Sequence, residues 1–232
     1  MAPTEPSVAV VVSGGDPPDQ TLVDALDLPV AGRVVVAADA GIAHALALGL
    51  GVDVAVGDFD SIEPATLARV EASGARVDRH PVAKDATDLE LALDAALATG
   101  AGRIVLVGGH GGRLDHFLTN VSLLCAAPME AVQVDALVGE ALVSVLRPGR
   151  DVVVRGRPGE LVSIVPLHGP VEGVRTTGLR YPLRRETLPA GTSRGVSNEL
   201  LAETASVSVD AGTALVIRPC SPPEPDHTAG AR

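Results

Sequence analysis

Apolar positions fall into two textures along the chain. Up to about residue 136, short β-branched runs alternate with runs rich in alanine and leucine. The β-branched runs predict strands at 8–12, 33–37, 53–56, 76–78, 103–107 and 131–135. The intervening runs predict helices at 19–26, 41–48, 64–72, 88–98 and 114–126. Thr87-Asp88-Leu89-Glu90 has the form of a capping box, and Leu89, Leu93 and Leu97 follow as one helical stripe. Such regular alternation predicts an open, mostly parallel, Rossmann-like α/β sheet with helices on both faces.

Beyond residue 136 the helical stripes stop. Strand-like runs at 141–146, 151–154, 160–166, 173–176, 206–209 and 214–218 are punctuated by turns such as Arg147-Pro148-Gly149 and Arg157-Pro158-Gly159. Only 198–203 reads as helical. This half predicts a small all-β sandwich. The expected organisation is an α/β catalytic domain at 1–136, a β-sandwich domain at 137–220, and a disordered tail at 221–232, which carries Pro222, Pro223, Pro225 and Gly230.

Composition sharpens this picture. Of 232 residues, 46% are apolar, enough for a core, yet the aromatics are only Phe59, Phe117 and Tyr181. A core of small aliphatics suits buried parallel strands flanked by alanine-rich helices. The formal charge is −11, with no basic cluster to track a phosphate backbone, which argues against nucleic-acid binding. Cys125 and Cys220 read as free thiols of a reducing compartment. Residues 1–6 lack the basic and apolar regions of a signal peptide. The most apolar stretch, 40–56, is broken by His44 and Asp53 and is too short and polar to span a membrane. A soluble, cytoplasmic protein is expected.

The chemistry gathers where predicted strands end, the edge along which open α/β sheets bind ligands. Gly57-Asp58-Phe59-Asp60-Ser61 sets two carboxylates one residue apart. Helix capping accounts for one of them. The second repels the first unless a cation sits between them. Lys84, Asp85, Thr87 and Asp88 lie at a predicted helix start; Asp88 could favour the helix dipole and still reach a metal, and Lys84 could act as a point charge on phosphate oxygens. Hard carboxylate oxygens with a phosphate partner point to magnesium. Asp39, in Ala38-Asp39-Ala40-Gly41, reads by itself as a helix cap, but its neighbours at the same edge make it a site candidate.

Gly108-Gly109-His110-Gly111-Gly112-Arg113-Leu114-Asp115-His116 joins a strand to a helix. Its glycines allow close backbone approach to phosphates, and Arg113 offers a forked donor. It is neither a Walker loop nor a dinucleotide fingerprint. His116 and Asn120, one turn apart, could face one pocket. His110 and His116 lack a third nitrogen or sulfur ligand, which argues against zinc. No Gly-x-Ser-x-Gly elbow occurs, and Ser13-Gly14-Gly15 reads as a turn. In the second half, the segments 176–183 and 193–198 read as polar surface loops of a sandwich, or else Tyr181 beside polar hydroxyls forms a stacking face and hydrogen-bond rim for a flat heterocycle.

In order and spacing, these segments resemble the thiamine pyrophosphokinase (thiamine diphosphokinase) family: Ala38-Asp39-Ala40-Gly41, Gly57-Asp58-Phe59-Asp60-Ser61, Asp85-x-x-Asp88, Gly108-Gly-x-Gly-Gly-Arg113-x-Asp115-His116, Thr177-Gly178-Leu179-Arg180-Tyr181 and Ser197-Asn198. The resemblance covers nearly everything from Val8 to Arg218. It implies a kinase that transfers the diphosphoryl group of ATP to the hydroxyl of thiamine, giving thiamine diphosphate and AMP. It implies magnesium on Asp58, Asp60 and Asp88, with Asp39 beside them as a further catalytic carboxylate. ATP would contact Lys84, Asp85, Gly109, Gly111, Gly112, Arg113, Asp115 and His116. Thiamine would contact Thr177, Tyr181, Ser197 and Asn198, in a homodimer whose thiamine site lies between subunits. Two departures stand out. The family's usual Asp-Gly-Gly is Asp39-Ala40-Gly41 here, and Tyr181 stands where tryptophan is common. The residues alone also fit a magnesium-dependent phosphohydrolase or nucleotidyltransferase, or a non-catalytic thiamine- or nucleotide-binding module. Which carboxylate accepts the hydroxyl proton, Asp88 or Asp39, stays open.

Overall fold

The structure, a computed structural model, describes residues 7–220; the tail expected at 221–232 lies outside the described residues. The first unit contains strands β1 (Val8–Val12), β2 (Arg33–Ala38), β3 (Val54–Gly57), β4 (Arg76–Arg79), β5 (Arg103–Val107) and β6 (Gln133–Val138). Between them run helices α1 (Gln20–Asp24), α2 (Gly41–Ala47), α3 (Pro64–Ala72), α4 (Asp88–Leu97) and α5 (Leu114–Leu124). The strand order β4-β3-β2-β1-β5-β6 is parallel throughout.

Both faces of this sheet are covered. Alternate side chains Val8, Val10 and Val12 pack with Val23 of α1, Ile42 of α2 and Leu67 of α3. Ala9 and Val11 pack the other way, against Leu89, Ala92, Leu93 and Ala96 of α4 and Leu124 of α5. Every residue of β1 is therefore buried, which is why its sequence is a continuous apolar run instead of an alternating one. Among the described residues no helix is long and apolar enough to cross a membrane.

The second unit is β7 (Ala141–Leu146), β8 (Val152–Arg155), β9 (Leu161–Thr177), β10 (Arg184–Leu188), β11 (Asn198–Glu199), β12 (Thr204–Ser208) and β13 (Ala211–Pro219). β6 turns back into β7 through an antiparallel pairing, and β13 pairs β7, so the first sheet runs on into the second unit. The boundary expected after residue 136 thus falls inside a strand. β9 carries the chain from one layer of the sandwich to the other. Its first part pairs β13 and its last part pairs β12 and β10. Leu146, Val154, Ile164, Val174, Leu188, Val207 and Val216 fill the space between the layers.

Three local readings change. The runs at 160–166 and 173–176 are one 17-residue strand, bent where His168, Gly169 and Gly173 take positive φ. The segment at 198–203 is not helical: Asn198–Glu199 is a strand and Leu200 bridges to Leu179. β10 appears where no strand was expected, because Arg184-Arg185-Glu186-Thr187 is polar and only Leu188 is buried in the core.

Candidate active site

In the order β4-β3-β2-β1-β5-β6 the chain first winds outward from β1 to β4 and then resumes on the other side at β5. The switch point lies between the carboxyl ends of β1 and β5, the place where such sheets open a ligand crevice. The loops after these strands meet there. Gly109 N donates to Gly14 O at 2.9 Å, and Asp16 N donates to His110 O at 2.7 Å. A Cβ at Gly108 would stand 2.6 Å from Ser13 O, and Gly108 has φ +94°, so only glycine lets the two loops close together. Asn120 Nδ2 donates to Gly109 O at 3.0 Å, so Asn120 braces the glycine loop. The segment Ser13–Asp16, read from the sequence as a turn, is the other wall of this cradle. Two glycines after the central strand were the signal that marked it.

Arg113 precedes α5 and forks onto Asp115, with Nε–Oδ1 at 3.1 Å and Nη2–Oδ2 at 2.5 Å. The guanidinium holds the Asp115 carboxyl down to about 2. Both side chains are mostly exposed, as are Gly112 and His116. Gly111 packs against the Asp16 carboxylate.

The acidic turns follow β2 and β3, next along the same edge. Asp39 takes φ +42° and Phe59 φ +62°, left-handed values that non-glycine residues adopt at a cost of order 1–3 kcal/mol. Phe59 sinks into the core beside α3, while the Asp58 and Asp60 carboxylates gather with that of Asp39. Carboxylate oxygens of Asp39, Asp58 and Asp60 all lie within 4.8 Å of one another. Asp60 N donates to Asp58 Oδ1 at 3.3 Å, and Ser61 Oγ to Asp60 Oδ1 at 2.8 Å. Asp39 Oδ1 is buried without a hydrogen-bond donor. Burial, aided by the negative charges of Asp88 and Asp58, raises the Asp39 carboxyl above its ordinary range.

Lys84 Nζ donates to Asp58 Oδ2 at 2.7 Å, and this bond lowers the Asp58 carboxyl. The same ammonium lies 3.0 Å from Asp88 Oδ1. That second contact is an ion pair without hydrogen-bond alignment, since Asp88 Oδ1 is buried and lacks a directed donor. Gly57 is the pivot: a Cβ there would stand 3.3 Å from both Asp39 Cβ and Asp88 Oδ1. Of the set expected to hold metal, Asp58 and Asp60 lie in this group, and Asp88 sits beside it, joined to Asp58 through Lys84. Asp39 completes the group of mutually close oxygens, and Asp88 is drawn to Lys84. Thr87 caps α4, its Oγ1 accepting from Glu90 N at 3.2 Å. Asp85 is exposed and has no ion-pair or hydrogen-bond partner among the described residues. Three converging hard oxygens, with two buried oxygens short of donors, fit a divalent cation such as magnesium.

The remaining candidates belong to the second unit. Tyr181 is 58% exposed, with the Arg180 guanidinium 5.8 Å from its ring centre. Asn198, 6% exposed, accepts from Tyr181 N at 3.0 Å and donates to Tyr181 O at 2.7 Å. Its amide is consumed in holding the tyrosine's backbone, so it positions Tyr181 instead of offering a free polar rim. Ser197 takes φ +59°, and its N–H donates to Ser163 Oγ. Thr177 Oγ1 meets Ser206 Oγ at 2.7 Å.

A family model described as thiamin pyrophosphokinase, catalytic domain, matches residues 29–135, and one described as the vitamin B1 binding domain matches 151–214. The chain is 30% identical over 164 residues to thiamine pyrophosphokinase of Bacillus subtilis (strain 168), covering 71% of this chain and 77% of that one. A crystal structure of Bacillus subtilis thiamine pyrophosphokinase superposes with a TM-score of 0.80 at 27% identity, covering 93% of this chain and 100% of the other. A thiamin pyrophosphokinase family protein from Enterococcus faecalis gives 0.76 at 30% identity, covering 93% and 99%. With matches across both units and acidic turns, glycine loop and tyrosine segment all in place, the chain belongs to the thiamin pyrophosphokinase family.

Proposed function

We propose that the carboxyl edge of the parallel sheet is the catalytic centre of a thiamine diphosphokinase, with Asp39, Asp58 and Asp60 as its metal-holding carboxylates. The reaction is transfer of the diphosphoryl group of ATP to the hydroxyl of thiamine, giving thiamine diphosphate and AMP. The observation that carries the site is the approach of those three carboxylates to within 4.8 Å, beside a glycine cradle at the switch point. Diphosphoryl transfer needs in-line approach of a hydroxyl to phosphorus and neutralisation of charge on the phosphate oxygens. A magnesium ion, when bound by Asp39, Asp58 and Asp60, would supply part of that charge neutralisation.

The chain's own groups do the rest. The backbone amides of Gly111 and Gly112 and the Arg113 guanidinium receive the nucleotide phosphates, with Gly109 shaping the loop and Asp115 and His116 flanking it. Lys84 places a charge on phosphate oxygen. Asp88, with a buried oxygen free of directed donors, accepts the proton of the attacking hydroxyl. Residues 1–136 thus serve ATP and metal, and residues 137–220 serve thiamine. Tyr181 stacks on the vitamin ring, Asn198 fixes its backbone, and Thr177 and Ser197 flank it. A homodimer is supported by the exposed Leu114 and Leu118, one turn apart on α5. The free Cys125 and Cys220 suit a cytoplasmic location.

Incubation with ATP and magnesium tests the reading: AMP and thiamine diphosphate form only when thiamine is added. Release of phosphate or AMP without thiamine would favour a phosphohydrolase. Tyr181→Ala raises KM for thiamine about 3- to 10-fold, the worth of a lost ring stack, and leaves KM for ATP unchanged. Tyr181→Trp retains the wild-type value, and equal KM in the alanine variant would remove Tyr181 from the thiamine site.

A further inference from the structure

We infer that Lys84 is a resident cation that closes the acidic site to free metal and yields it only to metal arriving with a polyphosphate. This deepens the proposed catalytic centre and rests on that reading. Lys84 is the only lysine in the chain; its other permanent cations are arginines. Its side chain is 12% exposed and lies between Asp58, at 2.7 Å, and Asp88, at 3.0 Å. Asp58 is one of the three carboxylates that approach one another. Ammonium and dication therefore compete for the same Asp58 carboxylate.

The charges make the exchange asymmetric. Asp39, Asp58, Asp60 and Asp88 bring four negative charges to one edge, and Lys84 cancels one from within. A dication entering alone must displace the ammonium from Asp58, its hydrogen-bonded partner, and leave it only the unaligned contact to Asp88. A polyphosphate arriving with the dication supplies that partner. Lys84 releases Asp58 to the metal and takes a phosphate oxygen, so the ammonium keeps two anionic partners. A compact ammonium on a flexible four-carbon stem suits this hand-over. Arg113 shows the contrast, since its guanidinium forks onto Asp115 through two bonds. Metal and nucleotide binding are accordingly positively coupled, and Lys84 carries the coupling.

Mn2+ binding to the nucleotide-free protein, followed by electron paramagnetic resonance, tests this. Wild type binds Mn2+ weakly, and Lys84→Met binds it about ten- to a hundredfold more tightly, in the range of couplings between linked sites. Lys84→Arg keeps the charge and stays within about threefold of wild type, on the same scale of linkage. A non-hydrolysable ATP analogue tightens Mn2+ binding in wild type and does so much less in Lys84→Met. In thermal melts, magnesium alone raises the midpoint of Lys84→Met and hardly moves wild type. Should Lys84→Met fail to fold, Lys84→Gln takes its place, and the effect of the nucleotide analogue on wild type is read without any variant. Equal Mn2+ affinity in wild type and Lys84→Met, with Asp58→Asn still weakening it, overturns the gate and leaves the metal site standing. Affinity indifferent to Asp58→Asn in both backgrounds overturns the metal site, and the gate with it.

Discussion

Asp58→Asn lowers kcat by about 10³-fold or more, roughly 4 kcal/mol of barrier, while the protein keeps its fold. Asparagine has the shape of aspartate and still accepts from Asp60 N, so the turn after β3 survives. It cannot supply the negative oxygen that Asp58 presents 4.8 Å or less from Asp39 and Asp60. Lys84 loses its hydrogen-bond acceptor but keeps Asp88 at 3.0 Å, so no ammonium is stranded. Removing one charge from four crowded carboxylates also relieves repulsion, offsetting the lost ion pair. The melting midpoint should therefore move by only a few degrees, as for other changes near 1 kcal/mol. Turnover of thiamine diphosphate, followed by mass spectrometry beside circular dichroism melts, separates the two effects. Retention of wild-type rate by Asp58→Asn, in a folded protein, would remove the acidic cluster from the chemistry.

How much of this was readable from the sequence depends on the kind of contact. The parallel half was legible because its central strands are apolar runs and α4 is a clear stripe, both set by burial, while edge strand β4, Arg76-Val77-Asp78-Arg79, is mostly polar. β9 was split in two by Pro166, Gly169, Pro170 and Gly173, residues that usually end strands. Here they bend one strand so that it can serve both layers. Asp39 looked like a cap when read alone and became a site candidate only through its neighbours at the same edge, and the structure sets it beside Asp58 and Asp60. Asn198 was expected to contact thiamine through the family resemblance of Ser197-Asn198. Its burial, and its two bonds to the Tyr181 backbone, come from chain crossings 17 residues apart. Local pattern thus located the acidic edge, and long-range geometry decided which oxygens share it.

The same distinction separates Ala40 from Gly41. Ala40 stands where the family usually has glycine, yet its φ of −54° is ordinary helical backbone and its side chain finds room beside Gly14. Gly41 has no such room. A Cβ there would press into the Val12 carbonyl oxygen, 2.7 Å from Val12 C and 2.9 Å from Ser13 Cα. All three are backbone atoms of the central strand and the cradle loop, so no rotamer change relieves the clash. Gly41→Ala must push α2 off β1, opening the packing of Ile42 and Ala45 against Val10 and Val12. Overpacking of this kind costs about 3 kcal/mol or more, so the melting midpoint falls by roughly 6–12 °C. Gly51→Ala is the control, because a Cβ at Gly51 meets nothing within 4 Å and its φ is not in the left-handed range; it should shift stability by no more than about 0.5 kcal/mol. Activity reports on the same displacement. Asp39 O accepts from Ile42 N at 3.0 Å, so a helix pushed away from β1 drags the Asp39 turn with it and loosens the carboxylate group. Gly41→Ala therefore loses turnover well below its melting temperature. A variant as stable and as active as wild type would show that α2 does not rest on the end of β1.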